Sequence, residues 1–183
     1  MSDRLFHAIN VAAVAHDGQY RKGSAVPYFS HICGVLFVLA QLSTDEDVLV
    51  AGVLHDVIED APEKTSLAEI EAEFGGRVAQ LVAAVTKDEA LADWQDRANA
   101  YISMIENADS DVACIVLADK FHNLHSILAD HAKCGERLWE RFNSTKQQQQ
   151  WWYAQVLQVL KSKLDPNPML DEYERLVARL LEL

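Results

Sequence analysis

The chain has 183 residues, half of them hydrophobic, with only 7 Gly and 4 Pro, enough for one domain with a sizeable core and little loop. Its formal net charge of -12 opposes binding to duplex DNA, RNA or an anionic membrane surface, whereas a small anionic ligand can still bind where a cation or basic cluster reverses the local field. Cys33, Cys114 and Cys134 form no CxxC pair, no apolar run reaches membrane-spanning length and no signal-peptide layout is visible, so a reducing, cytoplasmic setting is expected.

Helical spacing recurs along the chain, with no internal repeat and no sheet-like alternation, and the expected fold class is all-α. Residues 3–16 set Leu5, Phe6, Ile9, Ala12, Ala13 and His16 along one helical face. The stretch GQYRKGSAVP from Gly18 to Pro27 reads as a loop, and a helix rich in Val, Leu and Phe follows from about Tyr28 to Leu42. Thr44 or Asp45 can cap the next helix, expected to run unbroken to Asp60 and to stop before Pro62. Ser66 with Glu69 makes a capping box for a short helix ending near Gly75 and Gly76. Further helices are expected over about 76–86, 93–107, 110–129, 136–142, 145–163 and 168–182. The expected organisation is a single helical bundle, its core over about 1–130 and a helical extension over about 131–183.

Chemistry concentrates in VLVAGVLHDVIED, residues 48–60: seven apolar positions and then four ionisable groups within six. On one helix, His55 and Glu59 are i,i+4, as are Asp56 and Asp60, so all four are expected in one poorly solvated sector. Carboxylates buried there need a neutralising partner. A second apolar run, 113–118, leads to Asp119, with His122 and Asn123 one turn later on the same side, and His31 near the start of an earlier helix is a third component. Two imidazoles and two carboxylates without thiolate suit Mn²⁺, Fe²⁺ or Mg²⁺ with positions open for water and substrate, rather than a closed structural zinc site.

A His near one helix start, an HD doublet on a second helix and an Asp on a third resemble the metal signature of the HD superfamily. AHDGQYRKGSAVPYFSH (15–31), LHDVIED (54–60) and LADKFHN (117–123) look like the hydrolase domain of RelA/SpoT enzymes, and most like the stand-alone small alarmone hydrolases. FGGRVAQLVAAVTK (74–87) and RLWERFNS (137–144) are also similar to that group. The resemblance implies an HD-domain helical bundle that removes the 3′-pyrophosphate from ppGpp or pppGpp, with Mn²⁺ or another divalent ion as cofactor. It implies metal ligation by His31, His55, Asp56 and Asp119, and water activation by Glu59 and Asp60. Substrate contacts would come from Arg21, Lys22, Ser24, Tyr28 and Asn123. Two features depart from the pattern: the link from Lys22 to His31 is one residue longer than in the large bifunctional enzymes, and His125 stands where an Arg is common. The implied partner is a small purine nucleotide, not a nucleic acid or a membrane. The alternatives left open are an HD phosphohydrolase acting on an adenine alarmone or a nucleoside mono- or triphosphate, and a nucleotide-binding HD module without turnover.

Overall fold

Most helix starts among the described residues are set by side-chain caps. Ser2, Asp45, Ser66, Asp93, Asp109, Thr145 and Asn167 each accept a hydrogen bond from a backbone N–H two or three residues on, satisfying a donor that the first helical turn leaves free. The computed structural model describes residues 2–86 and 91–183; Lys87, the last residue of the family-like segment 74–87, lies outside them. In chain order the helices are α1 (Asp3–Ala15), α2 (Phe29–Leu39), α3 (Glu46–Leu54), α4 (Val57–Asp60), α5 (Leu67–Phe74), α6 (Gly76–Val85), α7 (Trp94–Asn107), α8 (Ser110–Cys134), α9 (Lys146–Lys163) and α10 (Pro168–Leu181), with a 3-10 segment at Gly135–Arg141. Among the described residues no strand forms; a single antiparallel bridge, Tyr20 to Pro27, closes the loop before α2.

The fold is all-α, and three local expectations need correction. The helix expected to continue to Asp60 is broken after Leu54, with Asp56 at φ -97° and ψ -7°, in the bridge region where active-site residues are often found. In an unbroken helix consecutive side chains diverge by about 100°, whereas this turn brings His55 Nε2 and Asp56 Oδ2 to 3.0 Å. The second correction concerns α1, whose core face is Leu5, Ala8, Ala12 and Ala15 with His16, while Phe6 is 51% exposed. Third, α8 continues past residue 129 to Cys134, because no breaker intervenes before Gly135, whose φ of 60° ends it.

One hydrophobic cluster runs from Leu5 to Leu180. Within it α2 packs on α3 and along α8, α3 also touches α1 and α6, and α10 lies against α8 and α9. The α2–α3 approach depends on Gly52: a Cβ there would lie 2.2 Å from Leu39 Cδ2. That close approach draws together the two helices that carry the imidazoles.

Candidate metal centre

Four side chains from three places in the chain meet at one point. His31 comes from the first turn of α2, His55 and Asp56 from the break between α3 and α4, and Asp119 from the middle of α8. All four are buried, at 0%, 3%, 8% and 6% relative exposure. Asp56 Oδ2 is 3.4 Å from His31 Nε2 and 3.0 Å from His55 Nε2, and Asp119 Oδ1 is 3.2 and 3.8 Å from the same two nitrogens. Donors about 2.1 Å from one ion and at right angles to each other stand about 3.0 Å apart. The observed separations approximate such a shell.

The histidine tautomers agree with that reading. His55 Nδ1 lies 2.9 Å from the Gly52 carbonyl and must carry a proton to donate to it, so Nε2 is the nitrogen that can present a lone pair to a cation once the cation displaces its proton. Nε2 of both His31 and His55 is fully buried without a hydrogen-bond partner. Buried polar atoms are normally satisfied, so this pair of orphans fits a ligand. The donor set, two imidazoles and two carboxylates without sulfur, suits a divalent cation.

Electrostatics concentrate charge here. Burial alone would raise the Asp56 and Asp119 carboxyls, but His55 and His31 at Asp56, and Lys120 with the same imidazoles at Asp119, hold both well below the usual carboxylate range. Burial pulls the His55 imidazole down, yet Asp56 and Asp119 outweigh it and raise it to about 9. Tyr28 donates its hydroxyl to Asp56 Oδ2 at 2.6 Å, and burial with the neighbouring carboxylates pushes this phenol far above its ordinary value, keeping it a donor. Lys120, 4% exposed, pairs with Asp119 Oδ2 at 2.5 Å and lies 4.8 Å from the Tyr101 ring and 5.3 Å from that of Trp152. Sequence reasoning missed Lys120.

The acidic pair behaves differently from expectation. Glu59 is half-buried and Asp60 exposed, so the single turn of α4 carries them to the rim rather than into one buried sector with His55 and Asp56. The Gln19 amide donates to the Asp60 carbonyl at 2.6 Å and ties this rim to the loop after α1. Partial burial, then Asp56 and Glu59, raise the Asp60 carboxyl.

Beside the four donors a cavity of about 610 Å³ opens, within the range of small-molecule sites, and Arg21, Lys22, Ser24, Tyr28 and Asn123 all line it. Asn123 donates to Asp119 Oδ1 and accepts from Arg21 Nη2 at 2.7 Å, and the Arg21 guanidinium stands 5.5 Å from the Tyr28 ring. Ser24 Oγ bonds the Arg21 carbonyl, which shapes the loop. Lys22 Nζ is 5.9 Å from the Phe142 ring. His125, Lys133 and Arg141 add to this basic wall, and Arg141 was not foreseen from sequence. Tyr153, 3% exposed, packs in the core and with Trp152 forms part of the cavity wall.

A model of the HD domain matches residues 8–143. This chain belongs to the HD-domain family. Among relatives, this HD protein is 37% identical over 131 residues to the Escherichia coli bifunctional (p)ppGpp synthase/hydrolase SpoT, an overlap of 68% of this chain and 18% of SpoT. It is 31% identical over 172 residues to the human guanosine-3′,5′-bis(diphosphate) 3′-pyrophosphohydrolase MESH1, spanning 92% of this chain and 89% of that protein. A solved metazoan SpoT orthologue, described as hydrolysing ppGpp, superposes with a TM-score of 0.79 at 29% identity over 98% of this chain and 96% of that one. A Listeria monocytogenes crystal structure superposes with a TM-score of 0.75 at 31% identity, over 84% of this chain and 99% of that one. The chain therefore spans about a fifth of SpoT but nearly the full length of MESH1.

Proposed function

We propose that this protein is a guanosine-3′,5′-bis(diphosphate) 3′-pyrophosphohydrolase that converts ppGpp or pppGpp into GDP or GTP plus pyrophosphate. The observation that carries the reading is a buried His/Asp donor set tied through Tyr28 and Asn123 to the wall of an adjacent basic cavity, in a chain that aligns with MESH1 over 92% of its own length. His31, His55, Asp56 and Asp119 would hold Mn²⁺. When bound, the ion polarises a phosphoryl oxygen, lowers the pKa of a coordinated water and offsets the repulsion between these carboxylates and the substrate.

The protein's own residues do the rest. Glu59 and Asp60, on the rim one turn from Asp56, orient the attacking water and accept its proton. Arg21 offers a planar fork to phosphate or a purine face and Lys22 a mobile point charge, with Asn123 linking Arg21 to Asp119. Ser24 and Tyr28 contribute to the same wall. The substrate is a free nucleotide, and the proposed setting is the cytoplasm; among the described residues no helix is long and apolar enough to cross a membrane. Product analysis tests the reading. Chelator-stripped protein reloaded with Mn²⁺ and given ppGpp should release GDP and pyrophosphate in equal amounts. Release of orthophosphate or of a nucleoside, or binding without turnover at saturating Mn²⁺, would refute it.

A further inference from the structure

His122 sits one helical turn beyond Asp119 on α8, and its Nδ1 lies 2.9 Å from His31 Nδ1. Two imidazole nitrogens at that distance share one proton: with none the lone pairs repel, and with two the hydrogens collide. The other end of His31 decides where the proton resides. Its Nε2 is 0% exposed, has no hydrogen-bond partner and faces Asp56 and Asp119 oxygens at 3.4 and 3.2 Å. For that nitrogen to present a lone pair to a cation, Nδ1 must be the protonated atom and His122 Nδ1 the acceptor.

The helix packing holds His122 in place for this task. Gly34 lies one turn after His31 on α2, and a Cβ there would fall 2.0 Å from His122 Cδ2 and 2.5 Å from its Nε2. The imidazole edge therefore rests directly on the backbone of the helix that carries His31, in space that any larger residue at 34 would occupy. The ring packing repeats the link, with His31 and His122 centroids 4.9 Å apart. His55 reaches the same tautomer by another route, through the Gly52 carbonyl. The two imidazoles thus have separate supports, one from backbone and one from a side chain.

We propose that His122 is a positioning residue: its Nδ1 accepts the His31 Nδ1–H and so fixes His31 as the Nε2-donor tautomer for the cation, with Gly34 providing the space. This rests on the metal reading above. Loss of such an outer hydrogen bond typically weakens metal affinity 10- to 100-fold. Calorimetric titration of Mn²⁺ into chelator-stripped protein should show a loss of about that size for His122→Phe, and a loss in the same direction for Gly34→Ala, which displaces the ring without deleting it. His122→Asn, which restores an acceptor, should recover part of the affinity lost in His122→Phe. Long-range ¹H–¹⁵N spectra of the wild-type protein loaded with diamagnetic Zn²⁺ should show His31 protonated at Nδ1 and His122 unprotonated at Nδ1, a readout that needs no variant to fold. Wild-type-like affinity in both His122→Phe and Gly34→Ala, or a His31 that carries its proton on Nε2 in the loaded protein, would overturn the role of His122 while leaving the metal site intact. Failure of the wild-type protein to bind any divalent ion would overturn both.

Discussion

Replacing Lys120 with Met removes one charge from the interior and leaves its shape nearly unchanged. Lys120 Nζ is 2.5 Å from Asp119 Oδ2, and the residues are 4% and 6% exposed. Burial works against the lysine charge, but Asp119 outweighs it and raises the ammonium, so the pair is ionised. Breaking a buried pair costs about 3–5 kcal/mol because the surviving charge loses its partner. The lower figure applies here, since Asp119 Oδ1 still accepts from Asn123 and faces two imidazoles. In a chain of 183 residues each kcal/mol moves the melting temperature by about 2–4 °C, so Lys120→Met should melt about 6–12 °C lower when stripped of metal. Saturating Mn²⁺ should shrink that deficit, because the cation takes over neutralisation of Asp119, and the variant should bind Mn²⁺ more tightly than the wild type. Scanning calorimetry with and without Mn²⁺ measures both effects. An equal loss of stability in the stripped and loaded forms would refute the reasoning, since it would mean that Lys120 and the ion do not compensate the same carboxylate.

Other expectations concern the donors and the acidic rim. Asp56→Ala removes a ligand and a charge together and should abolish Mn²⁺ binding by calorimetry and turnover by product assay. Glu59→Gln should keep Mn²⁺ affinity within about threefold while lowering kcat by about 10²–10⁴-fold, and near-normal turnover would remove Glu59 from the mechanism. Arg21→Ala should raise KM far more than it lowers kcat, because the guanidinium stands on the cavity wall and reaches the donors through Asn123 and the Tyr28 ring rather than directly. The pH dependence follows from His55: with its pKa raised from 6.5 to about 9, its contribution to stability is complete below about pH 6.5 and lost as pH climbs through about 9. Chelator-stripped protein should therefore lose melting temperature across that window, and Mn²⁺-loaded protein should not, because the cation has already displaced the proton. A flat profile for the stripped protein would contradict this.

Much of the architecture follows from local chemistry. The cap at Ser66 with Glu69, and the helix start before Asp119, depend on residues within one turn of each other and are visible in the sequence. That His31, His55, Asp56 and Asp119 would meet was also legible, since acids set behind apolar runs such as 113–118 are forced inward with few ways to be neutralised. What escaped reading is non-local or carries no signal. Nothing in VLHDVIE is a helix breaker, so the turn at Asp56 follows from contacts with Tyr28 and His55. Lys120 escaped because consecutive helical residues do not normally face each other, yet it turns back onto Asp119. The His31–His122 hydrogen bond spans 91 positions and depends on Gly34, whose lack of a side chain has meaning only once α2 and α8 are packed.

Anomalous diffraction at the manganese edge, from crystals of stripped protein soaked in Mn²⁺, tests the metal centre most directly. The expected result is one strong peak about 2.1–2.2 Å from His31 Nε2, His55 Nε2, Asp56 and Asp119. Absence of a peak there at saturating Mn²⁺, or ordered binding only elsewhere on the surface, would contradict the assignment of these four residues.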